Sequence, residues 1–367
     1  MLVVPNLSFG KIAKFSVPIR RGIFILILLL SWIPLAAPIY FFGRDANLAS
    51  ILAIALLYIE FIILVQFWGK KVYQQPHLLR RYGLEISRRN FQRFFQGLGI
   101  GLFSLFGFFI LEALLGWVIW QSPSAKLPQF ILEGFLVSVG IGFAEELLFR
   151  GWLLDELERD YKPKVALWVS SVVYALLHFI KPVAEILRTW FQFPGLVLLG
   201  LIFVWAKRDE HGRWKMEDGR WKKLMGTQIP TNEDGRWKME DGRWKKWMGT
   251  QIPIKEEGRR KKEEIRNKKE EIRNKKWMGS NCKDLVDSGV LNSKEKDKLI
   301  YYRQELLGLP IGIHAGFVWG YYIINVGGLV KYSSLVGEWV VGINGNPLAG
   351  VMGWFFLGAI ALFIQRK

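Results

Sequence analysis

Cysteine occurs once in 367 residues, at Cys282, which excludes an internal disulfide framework and any cysteine-built metal cluster. Histidine is almost as scarce, with four. No HExxH is present, so no helix turn offers two zinc-ligating histidines around a general base. No GxSxG lies in an apolar stretch, which removes a serine nucleophile of the elbow type. The same stretches hold no suitable pair of aspartates, which removes a paired-aspartate mechanism. Charge itself is missing over long runs. Ile23 to Phe42, Leu48 to Trp68, Leu98 to Trp120 and Leu348 to Ile364 each carry at most one charged residue, and each is close to the ~20 apolar residues that cross a bilayer.

Those runs predict an all-α fold: a polytopic transmembrane helical bundle of about eight spans, near 22–42, 48–68, 97–120, 131–156, 165–181, 193–206, 307–326 and 347–364. Met1 to Arg21 carries Lys11, Lys14, Arg20 and Arg21, but the apolar run that follows is longer than a signal h-region, holds two prolines and leads straight into a second span. It reads as a retained first helix. The net charge of +18 suggests nucleic acid at first sight. Membrane topology explains it more simply, and no nucleic-acid partner is expected. The basic connectors hold Lys70, Lys71, Arg80, Arg81, Arg88, Arg89 and Arg93, then Arg159, Lys162 and Lys164, then the long segment after Ala206, then Arg366 and Lys367. They alternate with sparsely charged ones. Lys and Arg stay on the cytoplasmic side, so both termini and the long segment are expected there, in a multi-pass integral membrane protein whose first partner is the lipid bilayer. Arg88 to Phe95, paired arginines beside aromatics, suits an interfacial helix start or an ordinary basic loop.

Residues 207–304 separate the membrane helices of 1–206 from those of 305–367. They hold 28 of the 50 Lys and Arg and 18 of the 32 Asp and Glu, so no apolar core can form there. Gly212 to Pro230 and Gly235 to Pro253 are near-identical, and KKEEIRN occurs twice, at Lys261 to Asn267 and Lys268 to Asn274. The copies are too few, and too lacking in a hydrophobic face, for a solenoid. They read as a tandem-duplicated, largely disordered polar insertion. Its interleaved Trp and Lys or Arg have the chemistry to meet RNA or an anionic membrane surface, and KKEEIRN could form a charged helix; a solvated loop is the plainer reading.

Ionisable residues deep in spans are costly, at least ~2.5 kcal/mol each on insertion scales. Glu60, Glu112 and Glu133 are isolated carboxylates, expected to be protonated or paired with a neighbouring helix. Phe143-Ala144-Glu145-Glu146-Leu147-Leu148-Phe149-Arg150 is denser. Two adjacent carboxylates cannot both ionise cheaply in low dielectric without a cation. Arg150, one turn after Glu146, is placed to supply it. Glu145, about 100° round the helix, has no such local partner. His178 and His314 lie in two further spans, whereas His77 and His211 lie in connectors. A carboxylate and two imidazoles from three helices can position and deprotonate a water, or hold a divalent metal such as zinc that does so.

These residues resemble the CPBP intramembrane proteases, the CAAX prenyl protease type II and bacteriocin-processing (Abi) family, whose blocks EExxxR, FxxxH and HxxxN fall on separate helices in that order. EExxxR is complete at Glu145, Glu146 and Arg150 and is followed by Gly151. The second block has Tyr174 before His178, and the third has His314 followed by Val318 in place of Asn or Asp. The resemblance covers about 130–182 and 307–325. It implies an intramembrane endopeptidase acting on a peptide or protein substrate at the membrane. Glu145 with His178 would activate water, His314 would stabilise the oxyanion, and Glu146 and Arg150 would give structural support. From the residues alone, an ion- or proton-coupled transporter and a catalytically silent membrane scaffold or immunity protein remain open.

Overall fold

The computed structural model describes residues 9–208 and 305–366, together with the backbone of two short hairpins between 215 and 244. The chain divides into one unit of residues 1–209 with 305–367 and a second of 210–304.

The first unit is a helical bundle. α1 (Val17–Phe42) keeps its helix through Pro34 and Pro38. α2 (Ala46–Lys71) starts at Asp45, whose carboxylate accepts from the Leu48 amide at 2.8 Å. After the short α3 (Leu78–Arg81), α4 (Arg88–Leu114) is capped by Ser87. Arg88 to Phe95 is therefore the first two turns of a long helix. A strand β1 (Val118–Trp120) follows, then α5 (Leu127–Glu146), which continues without a break through a π-helical segment, Leu147–Leu153, into α6 (Leu154–Asp160). α7 (Pro163–Leu177), α8 (Val183–Thr189) and α9 (Phe193–Arg208) complete the chain before the insertion.

In the second unit the two long repeats share a feature. β2 (Lys215–Glu217) pairs with β3 (Arg220–Lys222), and β4 (Met239–Glu240) pairs with β5 (Arg243–Trp244), each antiparallel. Asp218-Gly219 and Asp241-Gly242 stand between the strands, the dipeptide favoured in two-residue hairpin loops because it tolerates positive φ. The proposed charged helix over KKEEIRN lies outside the described residues.

The bundle resumes with α10 (Gly308–Val326). β6 (Val330–Tyr332) pairs with β1, and α11 (Glu338–Val341) and α12 (Val351–Arg366) close the unit. Among the described residues six helices are long and apolar enough to cross a membrane, and α7 and α12 are shorter apolar helices. The protein is thus an integral membrane protein, and the expected fifth and eighth spans correspond to helices of only 15 and 16 residues.

α10 packs directly on α4 because glycine lets the two backbones touch. Gly308, Gly312, Gly316 and Gly320 recur every four residues on α10, and Gly312 and Gly316 oppose Gly97 and Gly101. A Cβ at Gly312 would sit 2.0 Å from the Phe94 carbonyl oxygen, and one at Gly97 would sit 2.3 Å from that of Leu309. This is small-residue packing of the kind that replaces hydrophobic driving force within a bilayer. Gly142 of α5 faces Ile311 and Ala315 in the same way, so the helices bearing Glu145 and His314 also lie close.

One end of the bundle is tied by charge. Asp155, Glu156 and Asp160 of α6 face Arg20 of α1, Tyr73, Arg81 and Arg159. Arg20 is buried, with its guanidinium 3.3 Å from Glu156 and 3.0 Å from Asp160. Burial works to lower the Arg81 pKa, but Asp155 at 2.6 Å outweighs it and holds Arg81 above its ordinary value. Burial, then the nearby Glu156, raises the Tyr73 phenol. These contacts join α1 to α6, while the basic residues involved had been assigned only a topological role.

Candidate active site

Glu145 and Glu146 are the last residues of α5 before the π-helical segment. A π turn alters the local register of side chains and is frequent where function demands it. Here it carries Arg150, whose Nη1 lies 3.1 Å from Glu146 Oε1, both side chains being fully buried. The guanidinium also donates to the Gly200 carbonyl at 3.3 Å and stacks 4.3 Å from the Tyr174 ring and 4.8 Å from that of Phe203. Lys207 of α9 donates to the Arg150 carbonyl at 2.7 Å and pairs with Glu305.

His314, six residues into α10, places Nδ1 2.9 Å from Glu146 Oε1. A carboxylate oxygen with Arg150 beside it accepts only, so the imidazole donates from Nδ1 and turns Nε2 the other way. That Nε2 lies 3.7 Å from Glu145 Oε2. His178, the residue that ends α7, has Nδ1 2.8 Å from its own helix's Tyr174 carbonyl, again an acceptor, and its Nε2 also lies 3.7 Å from Glu145 Oε2. Among the described residues the Glu145 Oε2 atom has no hydrogen-bond partner.

All five expected site residues therefore meet. His178 follows a helix that rises only about 22 Å at ~1.5 Å per residue, short of the ~30 Å hydrocarbon. The helix bearing Glu145 runs from Leu127 to Asp160, four residues beyond each end of the expected span 131–156. Exposure divides the group: the Glu145 and His178 side chains are 25% and 31% accessible, His314 is 6%, and Glu146 and Arg150 are closed off. The site opens on the Glu145–His178 side.

Sequence reasoning gave Glu146 only Arg150, and nothing local in the sequence joins it to His314, 168 residues away. It also missed α9, whose Gly200 carbonyl, Phe203 ring and Lys207 enclose Arg150. Phe203 stacks on His314 with centroids 4.8 Å apart and rings 10° from parallel. Of the isolated carboxylates, Glu60 accepts from Ser31 of α1 and Glu133 from Gln129 of its own helix, both away from the site. Glu112 is buried with neither oxygen partnered among the described residues. His77 immediately precedes α3, and His211 lies outside the described residues.

Two imidazole nitrogens and a carboxylate have donor chemistry that suits a divalent cation. Their spacing does not: among the described residues no three His, Cys, Asp or Glu side chains are grouped to hold a metal ion. A separation of 3.7 Å is too long for a direct hydrogen bond.

Fold and site together define a multi-pass membrane protein with a Glu–His–His centre between its helices. The family model described as Type II CAAX prenyl endopeptidase Rce1-like matches residues 126–214, about a quarter of the chain. This stretch holds Glu145, Glu146, Arg150, Tyr174 and His178, and it bears out the resemblance carried by those residues. At the level of the family the match supports a type II CAAX endopeptidase. No curated protein and no solved structure matched the chain.

Proposed function

We propose that the protein is an intramembrane endopeptidase in which Glu145 is the general base. The observation that carries this reading is the convergence of two imidazole Nε2 atoms, each 3.7 Å away, on the unpartnered Glu145 Oε2. A water among them has acceptors for both hydrogens. Glu145 takes one proton as the water oxygen bonds to the substrate's peptide carbonyl carbon, with His178 Nε2 holding the other hydrogen. The carbonyl oxygen becomes an oxyanion, and His314, as an imidazolium stabilised by Glu146, donates to it from Nε2. Collapse of the tetrahedral centre breaks the C–N bond, and the proton on Glu145 passes to the departing amine. Glu146 is thus more than structural support, since it orients and charges His314. Arg150 holds Glu146. Val318, one turn beyond His314, offers no donor, which leaves the oxyanion to His314 and whatever backbone amide the substrate meets.

The purified full-length protein in detergent should cleave membrane-derived peptides, and should continue to do so with a chelator present. Ion flux without cleavage would transfer the Glu–His–His cluster to the transporter reading, and neither activity would favour a silent scaffold.

The alternation of basic connectors places both termini and residues 207–304 on the cytoplasmic side. In a Cys282→Ser background, Arg44→Cys and Lys222→Cys should react with a membrane-impermeant thiol reagent from opposite sides. Labelling of both from one side would overturn this topology.

A further inference from the structure

We infer that Phe203 of α9 is a positioning residue for His314: its ring fixes the plane of the imidazole and so the direction in which Nε2 points. The inference rests on reading the Glu–His–His centre as the place of hydrolysis, and it adds to that centre an apolar wall from a fourth helix.

The imidazole is held at its edge and on its face by different elements. At the edge, Nδ1 meets Glu146 Oε1 at 2.9 Å. The torsion that turns a histidine ring has broad minima, so one hydrogen bond anchors that nitrogen but sets the ring plane only loosely. On the face, the Phe203 ring lies 10° from parallel with the centroids 4.8 Å apart, the geometry of offset stacking. Tyr174 adds an edge-on contact at 6.4 Å and 85°. Tilting the imidazole one way would drive it into the Phe203 ring, and tilting it the other way would give up the stacked face. Bond and wall together leave Nε2 directed at Glu145 Oε2, 3.7 Å away.

A wall positions only if it is itself fixed. Phe203 is fully buried. The Arg150 guanidinium lies 4.8 Å from its ring centroid, and the Tyr174 ring meets it nearly perpendicular at 6.2 Å. Gly200, one turn earlier on α9, brings the backbone against α7 so closely that a Cβ there would sit 2.8 Å from Ser171 Cα. Phe203 therefore cannot draw back from His314 without moving α9. Arg150 touches this ring and also pairs with Glu146, so the wall and the edge partner of His314 are referenced to one buried group. The direction of Nε2 matters for chemistry because a donor acts on the developing oxyanion only when aimed where that oxygen will lie, and hydrogen bonds weaken steeply as they bend. Val318 supplies no second donor to make up for a misdirected one.

Phe203→Leu keeps an apolar side chain and removes the flat face. Measured well below the Tm of the variant, kcat for peptide cleavage should fall about 10- to 100-fold with KM changed by less than about 2-fold. Phe203→Tyr keeps the face and should stay within about 3-fold of wild-type kcat. Ile202→Ala, at a buried neighbouring position of α9, is the packing control: it should lower Tm and leave kcat within about 2-fold. Side-chain nitrogen NMR of the full-length protein labelled at histidine, with the His314 signals identified by their loss in His314→Ala, gives a readout that needs no turnover. Wild type and Phe203→Tyr should show one sharp set of His314 ring signals, and Phe203→Leu should show that set broadened or split. Wild-type kcat with unchanged His314 signals in Phe203→Leu would overturn the role of Phe203, and so would an equal loss of kcat in Ile202→Ala. An active Glu145→Gln would overturn the reading on which the role rests, while the His314 signals would still report whether Phe203 holds the ring.

Discussion

Glu145→Gln is expected to lower peptide cleavage by at least ~10²-fold, the low end of what a general base contributes, while expression and thermal stability stay at wild-type values. Glutamine keeps the length and an acceptor oxygen but cannot take a proton from water. Stability should hold because Glu145 is a quarter exposed and makes no ion pair with Arg or Lys among the described residues, so no buried cation is stranded there. His178→Ala and His314→Ala should each also lose activity with the fold retained. If one water is activated by all three groups, either histidine change combined with Glu145→Gln should cost little beyond the single change, since residues that act as a unit are grossly non-additive. The measurement is initial-rate cleavage by purified variants matched for thermal stability. Full activity in Glu145→Gln would remove the catalytic assignment.

The membrane bundle and the centre of its site were legible because local rules govern both. Long uncharged runs mark spanning helices, and the i,i+4 relation of Glu146 to Arg150, together with the 100° offset of Glu145, follows from helix period alone. The contacts that complete the site were not local. His314 reaches Glu146 from α10, and the enclosing wall of Gly200, Phe203 and Lys207 comes from a helix with no ionisable residue in its apolar interior to draw attention. Other signals were present and unread. Gly308, Gly312, Gly316 and Gly320 at four-residue spacing are a helix-packing pattern, and Asp-Gly between Lys-Met-Glu and Arg-Trp is a hairpin signal in each repeat. Charge at the end of α6 marks a span boundary in the sequence but not its partners. Only tertiary structure shows that Glu156 and Asp160 meet Arg20.

Glu146→Gln should behave unlike its neighbour, losing stability first. Arg150 and Glu146 are both fully buried and 3.1 Å apart, and removing one partner of such a pair leaves a charge in low dielectric at a cost of about 3–5 kcal/mol. The remaining contacts cannot offset that loss. The Gly200 carbonyl accepts one hydrogen bond at 3.3 Å, the Tyr174 and Phe203 rings offer cation–π attraction of about 2 kcal/mol or so when desolvated, and Arg150 Nε already lacks a partner. The expected result is a marked fall in the apparent Tm of the detergent-solubilised protein. Some activity should survive below that temperature, because the glutamine oxygen can still accept from His314 Nδ1, although it no longer stabilises an imidazolium. The double change Glu146→Gln with Arg150→Met separates charge from shape: with the stranded guanidinium gone, stability should recover by more than half of what the single change lost, so that the two effects are strongly non-additive. A single variant as stable as wild type, or a double variant no better than the single, would show that Arg150 is neutralised by something other than Glu146.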